Sequence, residues 1–260
     1  MALKERKEKI FDFLKEMKSA TVGELAELFQ VTLPTIRSDL EELERRGLII
    51  RTHGGAHLAE EFPILRIVSD TLQEARKEKE IIASLALSLL HPRMTVIIDG
   101  GSTTAYLSRR MKLIKIEELT VITNSLLVMQ DLAMEDGIEL FVPAGAVRKP
   151  SLSIISSSSR SFYDQINADI LFLGAAGFTL EQGANCSNII EAETKQQMIR
   201  RAARVCLLAD SSKLGKMHMA HICDWGEIDM LITDSLPSES RSVLEKKGIE
   251  VITGDDRGGN

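Results

Sequence analysis

The run Asp99-Gly100-Gly101-Ser102-Thr103-Thr104 joins, in six residues, the groups that an oxyanion needs. Glycines let the backbone approach closely. The three hydroxyls donate hydrogen bonds, and a helix starting there exposes unpaired N–H groups. Phosphate is the natural occupant; the alternative is a plain strand-to-helix corner in which Ser and Thr only cap. Lys213, in Asp210-Ser211-Ser212-Lys213, either supplies a cation to the same anion or lies on the surface. Small or polar groups also close other apolar runs: Asn124-Ser125, Ala144-Gly145 and Gly174-Ala175-Ala176-Gly177. The candidate ligand set is therefore Asp99, Gly100, Gly101, Ser102, Thr103, Thr104, Asn124, Gly174 and Lys213.

A second set of residues lies near the start of the chain. Leu33, Ile36, Leu40 and Leu43 recur at helical spacing and are expected to face inward, which leaves Thr35, Arg37 and Ser38 outward. Thr32 is placed to cap this helix, and Pro34 is tolerated in its first turn, where N–H groups have no intrahelical partner. An outward arginine at the front of a short helix either forks onto guanine or grips a phosphate. Arg51 and His53 flank a Gly54-Gly55 tip that could meet a sugar-phosphate wall. The candidate nucleic-acid contacts are Thr32, Leu33, Thr35, Arg37, Ser38, Arg51 and His53.

Other constellations are weaker. His218, His221 and Cys223 have spacing that a metal could use if they shared a helix, but no acidic or Cys partner stands at ligand spacing and Asp224 is the only nearby carboxylate. A loop with surface histidines is expected there, with no metal and no cofactor. Glu191, Glu193 and Lys195 share a helix and either touch ligand hydroxyls or form a solvated face. Trp225 is expected in a core or an interface.

The elements that must position these groups can be read from periodicity. Ile10, Phe13, Leu14 and Met17 give a first helix one apolar face. Thr21 and Glu24 fit a capping box ahead of a second helix carrying Val22, Leu25, Ala26 and Phe29, and Gln30-Val31 turns. Arg45, Arg46 and Gly47 close the third helix. Leu48–Thr52 and Ala56–Leu58 then form a hairpin. Two helices joined by a tight turn and followed by such a wing make a winged helix-turn-helix. The bland alternative is a small bundle that docks on a partner protein.

From Arg76 the rhythm changes. Apolar runs at 95–98, 119–123, 138–142, 170–173, 205–209, 230–233 and 249–253 alternate with helical stretches near 103–112, 125–135, 191–203 and 238–247. That alternation predicts an α/β domain with a mostly parallel sheet, whose ligands sit beyond the carboxyl ends of its strands. The expected division is 1–58 for DNA binding, 59–75 as linker with some helix, and 76–260 for the effector. Ser156–Ser159 is expected to be a loop.

The segment TIRSDLEELERRGLIIRTHGGA resembles the signature of the DeoR family of bacterial transcription regulators. DGGSTT, TVITNS, LFLGAAG and ADSSKLG are similar to its effector domain, so the resemblance covers nearly the whole chain. It implies a fold like phosphopentose isomerases and CoA transferases, with Ser102, Thr103 and Thr104 at a phosphate and Lys213 near the ligand. It also implies binding to double-stranded operator DNA, controlled by a phosphorylated sugar or related intermediate. Two departures stand out. The family pattern has two arginines where this chain has Arg37-Ser38, and the isomerases carry an Asp-Gly-Ala-Asp segment where this chain has Gly174–Gly177.

Composition narrows the classes. The chain has 260 residues and a formal charge of −6. Residues 1–58 hold ten basic and ten acidic side chains, so the deficit lies entirely in the remainder. A neutral DNA-binding segment needs more phosphate contacts than one copy makes, which predicts a homo-oligomer, dimer or tetramer. No apolar run spans a bilayer, no secretory leader is visible, and three cysteines without a CxxC pair suit a reduced cytoplasm. The leading expectation is a ligand-controlled transcription regulator, a repressor of a sugar catabolism operon, without enzymatic activity. The alternatives are an isomerase-like enzyme with a DNA-binding arm and a pure interaction module.

Overall fold

The computed structural model describes residues 3–45, 49–52, 54–58, 72–114, 118–156 and 160–257. Two compact units divide the chain, 1–67 and 68–260. His53, the 46–48 end of the third helix, most of the expected linker and Ser157–Ser159 lie outside the described residues.

The first unit holds α1 (Leu3–Met17), β1 (Ser19–Thr21), α2 (Val22–Phe29), α3 (Leu33–Arg45), β2 (Ile49–Arg51) and β3 (Gly55–Leu58). The capping box forms as the sequence predicts. Thr21 N–H donates to Glu24 Oε2 at 2.7 Å, and Glu24 N–H donates to Thr21 Oγ1 at 3.1 Å. Gln30 takes a left-handed conformation, φ 52°, and turns the chain into α3. Ile10, Leu14, Leu25, Ile36, Leu40, Leu43 and Ile49 make the core.

Two inward assignments fail. Leu33 is 46% exposed and Met17 60% exposed. Each lies at a helix end, beyond the neighbours that cover the middle of the stripe. The wing also has a third strand that periodicity missed. β1 pairs antiparallel with β3, and β3 with β2, giving the order β1-β3-β2. Gly55 is required here, since a Cβ would stand 2.2 Å from the Ala20 carbonyl oxygen.

The second unit contains β4 (Thr95–Ile98), β5 (Leu119–Thr123), β6 (Ile138–Phe141), β7 (Ala146–Arg148), β8 (Ser153–Ile155), β9 (Ile170–Gly174), β10 (Gly177–Thr179), β11 (Gly183–Cys186), β12 (Val205–Leu208), β13 (Ala220–Cys223), β14 (Met230–Thr233) and β15 (Glu250–Thr253). Its helices are α4 (Arg76–Leu87), α5 (Ser102–Met111), α6 (Leu126–Leu132), α7 (Arg160–Tyr163), α8 (Ile189–Ile199) and α9 (Ser238–Lys246). The seven apolar runs become one parallel sheet in the order β15-β14-β12-β9-β4-β5-β6. β9, β12 and β14 are buried at every residue, as strands covered on both faces must be.

The order reverses between β4 and β9. From β4 the chain builds one way through β5 and β6, then returns to β4's other side and builds outward through β12, β14 and β15. Such a reversal opens a crevice at the carboxyl ends of the two central strands. Two small additions surround that crevice: the antiparallel sheet β10-β11-β13 and the hairpin β7-β8. β13 corrects the loop expected around the histidines, because Ala220–Cys223 is extended and pairs with β11. Among the described residues no helix is long and apolar enough to cross a membrane.

Candidate functional site

In the first unit, α3 is held by a buried charge pair that the sequence did not single out. Arg6 on α1 donates from Nε to Asp39 Oδ2 at 2.6 Å and from Nη2 to Oδ1 at 3.2 Å. Lys7 pairs with Glu42 beside it. A forked guanidinium-carboxylate contact fixes orientation as well as distance. With Ile36, Asp39, Leu40 and Leu43 turned inward, Arg37 and Ser38 are exposed. Arg37 has no ion-pair or hydrogen-bond partner among the described residues. Thr32 and Thr35 share a hydrogen bond between their hydroxyls at 2.9 Å. Leu33 is exposed on the same end of the helix. Arg51 is less free than expected, since its N–H donates to Glu44 Oε1 at 3.0 Å and its guanidinium lies 3.8 Å from Glu44 Oε2.

In the second unit, a cavity of about 330 Å³ opens at the switch point. Gly100, Gly101, Ser102 and Thr103 follow β4 on one side, and Gly174–Ala176 close β9 on the other. Lys213 and Lys216 approach from the segment after β12, Arg148 and Ser151 from the β7-β8 hairpin, and Glu191 and Lys195 from α8. Two glycines are fixed by close approach rather than by dihedral angle. A Cβ on Gly100 would lie 2.6 Å from Ser153 Cβ of the hairpin, and one on Gly177 would lie 2.3 Å from the Lys216 carbonyl oxygen.

The start of α5 points its resources at this space. Gly101 leads in with extended backbone, and Ala105 N–H is the helix's first to find a backbone acceptor, the Gly101 carbonyl. Ser102 and Thr103 keep their hydroxyls without a hydrogen-bond partner among the described residues. Lys213 and Lys216 likewise have no carboxylate partner there. Free N–H groups, free hydroxyls and two ammonium groups without a carboxylate partner among the described residues are the chemistry that an oxyanion needs.

Three candidates are placed behind the lining instead. Thr104 is fully buried and donates to the Gly101 carbonyl at 2.9 Å, so it shapes the turn. Asn124 donates to the Ile154 carbonyl at 3.2 Å and fastens the hairpin. Asp99 is fully buried, pairs with Lys195 and accepts from Gly174 N–H at 3.0 Å. That last bond ties the two strand ends of the crevice together.

Lys195 is the residue that reading the sequence undervalued. It donates to the Gly174 carbonyl at 3.1 Å as well as to Asp99, and stands 3.6 Å from Glu191 Oε1. Burial works against its charge, but Asp99 and Glu191 outweigh burial and raise its pKa above the ordinary lysine value. Glu193, two residues away, is exposed, so α8 is both cavity wall and solvated face. The only signal was the 191–195 spacing, which sets Glu191 and Lys195 one turn apart. Cys186 also lines the cavity, but burial pushes its thiol up and it donates to the Asn188 carbonyl. Trp225 is core, donating to the Thr179 carbonyl at 2.8 Å.

Comparison with known proteins bears on both units. Residues 6–62 match the family model of the DeoR-like helix-turn-helix domain, and residues 74–235 match that of the DeoR C terminal sensor domain. The HTH-type transcriptional repressor GlcR of Bacillus subtilis is 33% identical over 99% of this chain and 99% of its own. The HTH-type transcriptional regulator GolR of Listeria innocua is 34% identical over 89% of this chain and 90% of its own. Among solved structures, ribose 5-phosphate isomerase A of Methanocaldococcus jannaschii is 20% identical, with a TM-score of 0.38 over 54% of this chain and 55% of its own.

Proposed function

The chain belongs to the DeoR family of DNA-binding transcriptional regulators, and we propose that it represses a carbohydrate catabolism operon until a phosphorylated sugar or related metabolite fills the switch-point cavity. The observation that carries this reading is the convergence of Ser102, Thr103, Lys213 and Lys216 on one cavity at the carboxyl ends of β4 and β9. A phosphate placed there receives backbone N–H groups, hydroxyls and two cations. Repression as the mode of action is supported by the name of the Bacillus subtilis relative.

In this reading residues 1–58 bind double-stranded operator DNA, 59–75 link, and 76–260 sense the effector. Arg37 reads or grips the duplex, with Thr32, Leu33, Thr35, Ser38, Arg51 and His53 around it. Asp99, Gly100, Gly101, Thr104, Asn124 and Gly174 shape the anion site. The regulator acts in the cytoplasm as a dimer or tetramer, which multiplies phosphate contacts for a neutral DNA-binding segment. A catalytic role has less support: Gly174–Gly177 carries no carboxylate and Asp99 is spent on Lys195, so neither of these supplies a free base for moving protons between sugar carbons.

Gel-shift titration on the protein's own promoter fragment tests the proposal. Arg37→Ala is expected to weaken binding by about 1–3 kcal/mol with an unchanged melting point. Phosphorylated sugars are expected to release the wild-type complex. Unchanged affinity in the variant, or an affinity indifferent to salt, sinks the DNA-binding assignment.

A further inference from the structure

Glu191 lines the same cavity as Ser102 and Lys213, and we infer that it forms a second end of the site, which selects a monophosphorylated ligand whose remaining part is uncharged and presents two adjacent hydroxyls, both donated to Glu191. This rests on the placement of phosphate against Ser102 and Lys213 proposed above.

Glu191 sits in the first turn of α8, whose cap, Asn188, accepts from the Glu191 N–H at 3.0 Å. Its side chain is 12% exposed and lies between two cations. Arg148 Nε stands 3.6 Å from Oε2, and Lys195 Nζ stands 3.6 Å from Oε1. Both are ion contacts longer than a hydrogen bond. Among the described residues neither carboxylate oxygen accepts one. A carboxylate offers about four acceptor sites and is costly to bury with them empty. Glu191 lines the cavity with two cations beside it and no hydrogen bond accepted by either oxygen among the described residues. Hydroxyls on adjacent carbons are spaced to donate one hydrogen bond to each.

Charge accounting excludes the other ligand types. Lys195 is committed to Asp99 and Glu191, and Arg148 to Glu191. Arg148 is further anchored to Ser151 Oγ at 3.3 Å and Ser187 Oγ at 3.4 Å, so the hairpin and the corner before α8 both fix it. Among the described lysines and arginines of the lining, Lys213 and Lys216 remain for the ligand's charge, enough for one phosphate dianion, with the His218 imidazole beside them. A second phosphate or a carboxylate at the far end would face Glu191, whose two neighbouring cations are already engaged. Lys195 is thus a positioning residue that holds Glu191 in place.

Isothermal titration of the full chain decides the matter. The probes are inorganic phosphate, ribose 5-phosphate, glucose 6-phosphate, fructose 6-phosphate, 6-phosphogluconate and fructose 1,6-bisphosphate. A neutral-ended monophosphate is expected to bind the wild type tightest. Glu191→Gln, which preserves shape, is expected to lose about ten- to a hundredfold of that affinity and little of the affinity for inorganic phosphate. A bisphosphate or phosphogluconate binding tightest overturns the inference, as does Glu191→Gln with undiminished monophosphate affinity. Ser102→Ala separates the two claims. If it weakens every phosphate probe while Glu191→Gln weakens none, only the second end is wrong; if it weakens none, or no probe binds, the phosphate placement fails as well.

Discussion

The two units handle charge in opposite ways. On α3 Arg37 is exposed and has no partner among the described residues, while the buried pair Arg6–Asp39 holds the helix from behind. In the switch-point cavity the charges are themselves the lining and the support, and Lys195 is buried to the point of full desolvation. A duplex is a long polyanion that attracts solvated cations from a distance. A small ligand surrenders its water to a site whose dipoles and charges are already in place. Substitution should therefore separate binding from stability in the first unit and entangle them in the second.

The sharpest test of that contrast is Lys195→Met. It strands Asp99 in a fully buried setting and is expected to cost about 3–5 kcal/mol, read as a lowered urea midpoint of the second unit's unfolding. If stability holds and only ligand affinity falls, the two units do not differ in the way described. Alkaline titration refines the same point. With its folded pKa raised, Lys195 contributes stability that is complete below the ordinary lysine value and is lost as pH rises through the folded one. The wild type should therefore lose more stability than Lys195→Met between neutral and strongly alkaline pH. Equal losses would remove Lys195 from that account. Smallest is Thr21→Ala, which removes one half of the capping box of α2 and should lower stability of the first unit by about 1 kcal/mol, visible as a small shift in thermal unfolding.

Legibility followed the range of the interactions. All seven strands of the parallel sheet could be read: β9, β12 and β14 are apolar runs buried at every residue, and the edge strands β6 and β15, though partly exposed, still lie in the mostly apolar runs 138–142 and 249–253. The flanking strands β7, β8, β10, β11 and β13 could not. They are three or four residues long, carry Ser, Gly, Asn and His among their apolar residues, and exist through partners elsewhere in the chain. Leu33 misled for a related reason: spacing assigned it to the inner stripe, but coverage ends before the helix does. Thr104 and Asn124 were grouped with the lining because hydroxyl and amide groups beside glycine suit a ligand equally well as they suit a turn.

Local chemistry was settled in the letters themselves. The capping box, the glycine turn with its hydroxyls, the strand-helix alternation and the outward arginine each depend on residues within a few positions of one another. What needed the folded chain was the fate of Lys195 and Glu191. On an isolated helix they are an ordinary i, i+4 pair at the surface. Asp99, 96 residues earlier, and Arg148 on a hairpin turn that pair into a buried support and a carboxylate lining the switch-point cavity. Burial and pairing over such distances are set by which strands lie side by side, and no local spacing encodes that.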